Sequence, residues 1–138
     1  MTIRTAAELR ANMPVGVAGG ITAQDMQDFI DTTEEFTTQA VISTSANYTV
    51  TTADNRRLIL VNAGGARTVT LSSNLPVGFE CAIFQESTGQ ATVTVTGGVL
   101  RHPDSHTKTS KQYAVVYCKV FRNAGSAPNV VFTGDTAL

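Results

Sequence analysis

A short polar segment, RHPDSHTKTSK at residues 101–111, holds both histidines of the chain. His102, Asp104 and His106 alternate, and on an extended strand their side chains would face one way and could bind a metal ion. Pro103 interrupts them, however, and HPDSH is typical of a turn. No further histidine can complete a site within one chain, although a trimer axis would supply three copies. We expect a solvated hairpin loop that binds no metal.

The two cysteines are the next reactive side chains. Cys81 and Cys118 both fall in the centres of predicted strands, where a thiol usually packs as a small apolar group. A disulfide would form only if the two strands face each other, which leaves pairing open. A catalytic thiol needs an adjacent base, and neither histidine lies in strand sequence near them. We expect two buried thiols without catalytic function.

Other arrangements that could support catalysis are weak. No serine lies in a nucleophile elbow, and the Gly-rich segments NAGGAR and TGGV do not precede a helix, so they do not predict phosphate binding. The polar cluster DNRR at residues 54–57 is typical of a β-turn with solvated arginines. Glu34 and Glu35 lie away from any cleft between strands. The sequence therefore predicts a protein that is not an enzyme and needs no cofactor.

Composition narrows the class of protein further. The 138 residues suffice for one domain, and charged residues make up only 15% of the chain, with a net charge of −1. Such a balance does not favour nucleic acid or an anionic membrane as a partner. No apolar run is long enough to span a bilayer, and MTIRTAAELRANM lacks the apolar core of a secretory signal. We expect synthesis in the cytoplasm and no membrane insertion.

Residues 1–45 predict an anchoring arm that is partly helical and partly extended. TAAE at residues 5–8 is a capping box that starts a short helix, and Pro14 ends it. A second helix begins in ITAQDMQDF and carries one narrow apolar stripe, which must dock on another surface. The apolar side chains expected to make assembly contacts are Ile21, Met26, Phe29, Ile30 and Phe36.

Residues 46–138 predict an antiparallel β-sandwich or a jelly-roll-like domain. The 21 threonines favour half-buried strands, and alternating segments recur between Gly- and Pro-containing turns. We attribute the recurring TVTT, TVTL and TVTV to exposed strands and not to an internal repeat. The predicted strands contain YTVTTAD, RLILVNA, RTVTLS, FECAIFQES, ATVTVT, QYAVVYCKVFRN and PNVVFTG. The side chains predicted to face the interior are Leu58, Leu60, Val69, Ile83, Val93, Val115 and Val130.

Several short motifs resemble a β module of structural proteins in tailed bacteriophages. The resemblance covers about four-fifths of the chain, and ITAQDMQDFIDT is similar to a helix that precedes such modules in phage tail and fibre proteins. The usual tryptophan of the last strand is absent, and Val131 or Phe132 takes its place. The matching positions are Tyr48, Asn62, Thr68–Leu71, Pro76–Gly78, Gly89–Val95, Gln112–Ala114 and Gly134–Asp135.

The resemblance implies a homotrimeric virion protein without catalysis, made in the host cytoplasm and assembled with the major capsid protein or with tail proteins. A capsid decoration (cement) protein is preferred, because about 45 residues before the β domain are too few for a fibre shaft. The alternative is a tail-fibre or baseplate-associated module that binds glycan. Such a site needs exposed aromatics, whereas the strand pattern accounts for Tyr48, Tyr113 and Tyr117. A polysaccharide hydrolase lacks both size and a carboxylate pair.

Overall fold

The computed structural model describes residues 40–138, which belong to one compact unit that begins at Ala40. This unit is mainly β, as predicted, and its one helical element is a short 3-10 helix, Thr52–Asp54. The predicted arm lies outside the described residues, except for residues 40–45. The strands are β1 Val41–Thr44, β2 Tyr48–Val50, β3 Leu58–Val61, β4 Arg67–Leu71, β5 Glu80–Gln85, β6 Ala91–Val95, β7 Val99–Arg101, β8 Lys108–Thr109, β9 Val115–Asn123, β10 Pro128–Gly134 and β11 Thr136–Ala137.

The strands form two sheets that face each other across one core. Sheet A has the order β1-β3-β5-β9-β10-β7, and sheet B has the order β11-β8-β6-β4-β2. The chain alternates between the sheets from β1 to β6, so that each pair of consecutive strands makes one turn of a coil. Successive turns pair in parallel in both sheets, whereas β9 pairs antiparallel with β5 and β10, and β8 with β6 and β11.

The predicted all-antiparallel arrangement is therefore wrong for the first six strands, and also for β7, which pairs in parallel with β10. The reason is that each strand of a two-sheet coil buries one face against the other sheet and exposes the other face. This produces the same alternation of apolar and polar residues as an antiparallel sandwich. Alternation determines which face is buried, but it carries no information about the direction of the neighbouring strand.

The recurring TVT-like segments mark successive turns of this coil, so our assignment of them to strand composition alone was wrong. Within sheet B the segment Tyr48–Val50 lies in register with Val69–Leu71, which in turn lies in register with Val93–Val95. The central threonine of each segment is on the outer side of the sheet, while its neighbours contact the core. The repeat is short and its spacing changes from 21 to 24 residues in these registers, which hides it in the sequence.

A glycine allows two corners of the coil to stack closely. Gly89 donates a backbone hydrogen bond of 2.9 Å to the carbonyl of Ala63 in the preceding turn. A Cβ atom at position 89 would collide with the carbonyl oxygens of Ala63 and Gly65. The turn TGQ between β5 and β6 therefore needs glycine for close backbone approach.

The core confirms four of the seven predicted interior residues. Val69, Ile83, Val93 and Val130 are buried. In β3 the predicted face is wrong, because the buried residues are Ile59 and Val61 and not Leu58 and Leu60; in β9 it is Val116 and not Val115 that is buried. LILV and VV are apolar at adjacent positions, so alternation cannot select the inward side chain there.

Candidate functional site

Sheet A presents four aromatic side chains on its outer side or at its margin, Phe84, Tyr113, Tyr117 and Phe121, which we call the aromatic face. In β9, alternate residues are buried, which directs the residues between them outward. Tyr117 is 56% exposed and Phe121 is 44% exposed. Large exposed aromatics on one side of a sheet can mark a binding surface.

Tyr113 is held in an unusual backbone conformation at the margin of this surface. Its φ angle is 68°, a left-handed conformation that is unfavourable for a bulky residue. Its N–H donates a 2.7 Å hydrogen bond to the carbonyl of Gln85, which fixes the turn before β9. The ring stacks on Phe84 with centroids 6.3 Å apart, yet Tyr113 is 66% exposed. The fold therefore displays this tyrosine at a cost in backbone strain.

Apolar and charged side chains lie beside and between the aromatics. Leu58 and Leu60 are half-buried on β3, and Val41 is exposed on the neighbouring edge strand β1. On β5, Glu80 lies 3.6 Å from Arg56 and 3.4 Å from Lys119, measured between charged atoms. Glu80 and Lys119 are register partners, and Lys119 lies between Tyr117 and Phe121 on the outer face of β9. Aromatic residues combined with charged and apolar side chains are found in protein interfaces.

The histidine loop joins β7 in sheet A to β8 in sheet B and has a structural function. The rings of His102 and His106 stack in parallel with centroids 4.6 Å apart. The hydroxyl of Thr136 in β11 lies 3.0 Å from His102 Nε2 and 2.9 Å from His106 Nδ1. The two histidines thus attach the last strand to the loop.

This hydrogen-bond chain has a direction when the histidines are neutral. The backbone N–H of Asp104 donates to His102 Nδ1 over 3.0 Å, which places the His102 proton on Nε2. That proton is then donated to Thr136 Oγ1, and the hydroxyl proton of Thr136 is donated to His106 Nδ1. Both ring nitrogens of His102 are therefore occupied, so it has no lone pair free for a metal ion.

The alternating arrangement that suggested a metal site is absent, because a turn at Pro103–Asp104 interrupts the segment. His102 and His106 do come together, but as stacked rings that share the hydroxyl of Thr136. Among residues 40–138, no group of three or more His, Cys, Asp or Glu residues is arranged to hold a metal ion.

The DNRR segment forms the predicted turn, in which the Arg57 N–H donates to the carbonyl of Asp54 over 3.1 Å and Arg56 is exposed, but its first residue is not solvated. Asp54 is only 3% exposed, and its carboxylate accepts hydrogen bonds from the Tyr48 hydroxyl at 3.1 Å and from the Thr51 N–H at 2.9 Å. The pKa of Tyr48 is raised by its burial and, next, by its hydrogen bond to Asp54. Tyr48 and Asp54 therefore fix the turn after β2, while Arg56 pairs with Glu80 on the surface.

Cys81 and Cys118 are direct partners across β5 and β9. Both are buried, free thiols. The hydrogen bond with Cys81, together with burial, holds the pKa of Cys118 well above its ordinary value. The prediction of buried thiols is confirmed. The two strands that carry them are neighbours within sheet A.

The predicted assembly contacts of the arm and the paired carboxylates lie outside the described residues. These are Ile21, Met26, Phe29, Ile30 and Phe36, and Glu34 with Glu35. The aromatic face was missed because Tyr113 and Tyr117 were assigned to the packing of their strand. The strand pattern explains only Tyr48, which packs against the core. Had the buried face of β9 been assigned correctly, the sequence would have predicted that Tyr117 and Phe121 lie on its exposed face.

Comparison with models of known protein families finds no match, and comparison with curated proteins finds no significant match. No helix among the described residues is long and apolar enough to cross a membrane.

Proposed function

We propose that this chain is a non-enzymatic structural protein of a tailed-phage virion, a homotrimeric capsid decoration protein attached by its N-terminal residues 1–45. The observation that supports the proposal most strongly is the aromatic face of sheet A. Three of its four aromatic side chains, Tyr113, Tyr117 and Phe121, are exposed, and an assembly protein buries such side chains against its neighbours.

In the proposed trimer, each copy buries its aromatic face against the other two copies. Tyr117 lies on β9, which is an internal strand of sheet A, and therefore has the central position that interface residues with the largest contributions usually occupy. The ion pair of Glu80 with Lys119 then lies within the interface beside Tyr117, where charges determine orientation more than affinity. Symmetric self-association is the commonest assembly mode of a single polypeptide.

The arm supplies the attachment in this proposal. Burial of Met26, Phe29 and Ile30 on the virion surface would contribute about 1.5–3 kcal/mol for each side chain before ordering costs. The partner is the major capsid protein, with tail proteins as the alternative partner, and the host cytoplasm is the proposed place of synthesis.

Deletion of residues 1–35 tests the attachment. The shortened protein should keep cooperative unfolding and its oligomeric state but should no longer bind virions that lack the protein. A substitution within the stripe, Phe29→Ser, should weaken attachment in the full-length chain, and Thr94→Ser in sheet B is its matched control. Unchanged virion binding by the shortened protein would refute the anchoring function of the arm.

A second candidate is a glycan-binding module at a tail fibre or baseplate. It is favoured by Tyr113, whose exposed ring, stacked on Phe84, could pack against the apolar face of a sugar. Calorimetric titration with host surface polysaccharide would detect such binding, which Tyr113→Ala should abolish. Binding that persists in this variant, or that is absent in the wild type, would reject this candidate.

A further inference from the structure

We propose that Cys81 and Cys118 form a shielded dithiol site, which a small-molecule disulfide converts into one intramolecular disulfide bond between β5 and β9 when the strands are open. The inference is independent of the function proposed above. It depends on the position, spacing and burial of the two thiols.

The backbone places the two residues at the correct separation. In the antiparallel pair β5–β9, the N–H of Val120 donates to the carbonyl of Phe79 and the N–H of Gln85 donates to the carbonyl of Ala114. Because hydrogen-bonded pairs recur at every second residue, Cys81 and Cys118 belong to the same class of pair. Their Cα atoms in such a pair are about 5.5 Å apart, close to the commonest separation in disulfides.

Cys81 and Cys118 are direct register partners and both are buried, so their thiols lie on the same side of sheet A, beside each other. A disulfide nevertheless needs its Cβ atoms about 3.8 Å apart, and directly opposed residues usually have them about 4.5–5.5 Å apart. The strands must approach locally when the bond forms. A bond formed with such an adjustment is more easily reduced than an unstrained structural disulfide, so we expect it to be reversible.

The folded protein shields both thiols from reagents. Cys81 is 4% exposed and Cys118 is 2% exposed, and β5 and β9 are both internal strands of sheet A. The raised pKa of Cys118, which results from its hydrogen bond to Cys81 and from burial, disfavours the thiolate that attacks disulfides. Exchange therefore requires separation of β5 from β9, which occurs during folding or on wide opening of the sheet.

The reaction is thiol–disulfide exchange with a compound such as oxidised glutathione. One cysteine loses its proton and attacks a sulfur of the reagent, so that a mixed disulfide forms, the reagent S–S bond breaks and one reduced thiol leaves. The second cysteine loses its proton and attacks the protein sulfur of the mixed disulfide, which expels the second thiol. The two cysteines are oxidised, and the reagent disulfide is reduced to two thiols.

The bond would join the two differently organised halves of sheet A. Strands β1, β3 and β5 are mutually parallel, whereas β9 runs antiparallel to β5. The closed loop between Cys81 and Cys118 contains β6, β7 and β8, which supply strands to both sheets. The disulfide would lower the conformational entropy of the unfolded chain, because it links β5, the last strand of the coil in sheet A, to the antiparallel strand β9.

The test uses the full-length protein in two states. Denatured protein is refolded with either reduced or oxidised glutathione, then denatured again in excess N-ethylmaleimide and weighed by mass spectrometry. We expect the oxidised sample to be lighter by two hydrogen atoms and to take up no maleimide, while it keeps the cooperative unfolding of the reduced sample. When a separate portion of the oxidised sample is treated with reduced glutathione in denaturant before the maleimide, both maleimide sites should be restored.

The second measurement tests shielding. In the folded reduced protein, maleimide should modify the cysteines at least about a thousandfold more slowly than in denaturant, because access follows the unfolding equilibrium. Cys81→Ala and Cys118→Ala serve as controls, since each leaves one thiol and should yield only a glutathione adduct or a linked dimer. Two free thiols after oxidative refolding, adducts alone in the wild type, or rapid modification of the folded protein would each overturn the proposal.

Discussion

The hydroxyl of Thr94 donates a hydrogen bond to the hydroxyl of Thr70, 3.1 Å away, across the parallel strands β6 and β4. Thr49 is the register partner of Thr70 on β2, so the three threonines form one row on the outside of sheet B. The adjacent residues Val69 and Val93 are buried. A change of one position along β6 therefore exchanges a core environment for a solvated one.

This alternation predicts opposite results for two neighbouring substitutions. Val93→Asp should prevent accumulation of soluble folded protein, because an unpaired buried carboxylate costs several kcal/mol, comparable to the whole stability of a small domain. Thr94→Asp should fold and lose no more than about 1 kcal/mol. Soluble yield and thermal unfolding measure both; normal folding of the Val93 variant would contradict the phase of β6.

A second pair of variants tests the face of β3 that is buried. Ile59→Ala should reduce the free energy of unfolding by about 2–5 kcal/mol, since Ile59 is fully buried. Leu60→Ala, at a half-buried outer position, should cost only about 1 kcal/mol. Chemical denaturation of the two variants gives these values, and a larger loss for Leu60→Ala would show that the opposite face is inward.

The sequence allowed most of the strands to be located, because alternation depends only on the burial of one face. It did not allow the partners of β1 to β6 to be identified, since strand direction depends on connections between sheets and not on side-chain period. β1, β7, β8 and β11, which have two to four residues each, escaped prediction.

The candidate surface was less predictable than the fold. Tyr117 and Phe121 indicate a binding surface only if they lie on the exposed face of β9. The sequence does not show which face is exposed, because VVYCKVF is apolar on both faces. The cysteine pairing likewise depends on the register of β5 against β9, which brings residues 81 and 118 together from distant parts of the sequence. Cross-strand register is a tertiary property that local sequence does not determine.

Backbone strain at Tyr113 can be measured by comparing two variants that both lack the ring. Tyr113→Gly should be more stable than Tyr113→Ala by about 1 kcal/mol, because glycine adopts a φ of 68° without steric cost. Both variants lose the contact with Phe84, so their difference isolates the backbone. Equal unfolding midpoints in denaturant would indicate that the left-handed conformation is absent in solution.

The Tyr48–Asp54 contact predicts a loss of stability at alkaline pH. Burial and the hydrogen bond to Asp54 raise the pKa of folded Tyr48 above its ordinary 10.0, so folding favours the protonated phenol. This contribution is fully present below pH 10.0 and is lost as the pH rises through the folded pKa. Urea unfolding at increasing pH measures the loss.

Tyr48→Phe is the control for this titration. It should be less stable than the wild type at neutral pH, because buried Asp54 loses a donor, but it has no phenol to ionise. The difference in unfolding free energy between the two proteins should therefore shrink above pH 10.0. A constant difference across the alkaline range would show that Tyr48 does not titrate differently in the two states.

The central claim, self-association through the aromatic face, is tested most directly by the solution mass of the full-length chain from light scattering at micromolar concentration. We predict three times the chain mass of 14.6 kDa for the wild type and for the control Thr94→Glu, which changes the outside of sheet B. Tyr117→Glu should give a smaller mass with an unchanged far-UV circular dichroism spectrum. A monomeric wild type, or a trimer that survives Tyr117→Glu, would contradict the claim.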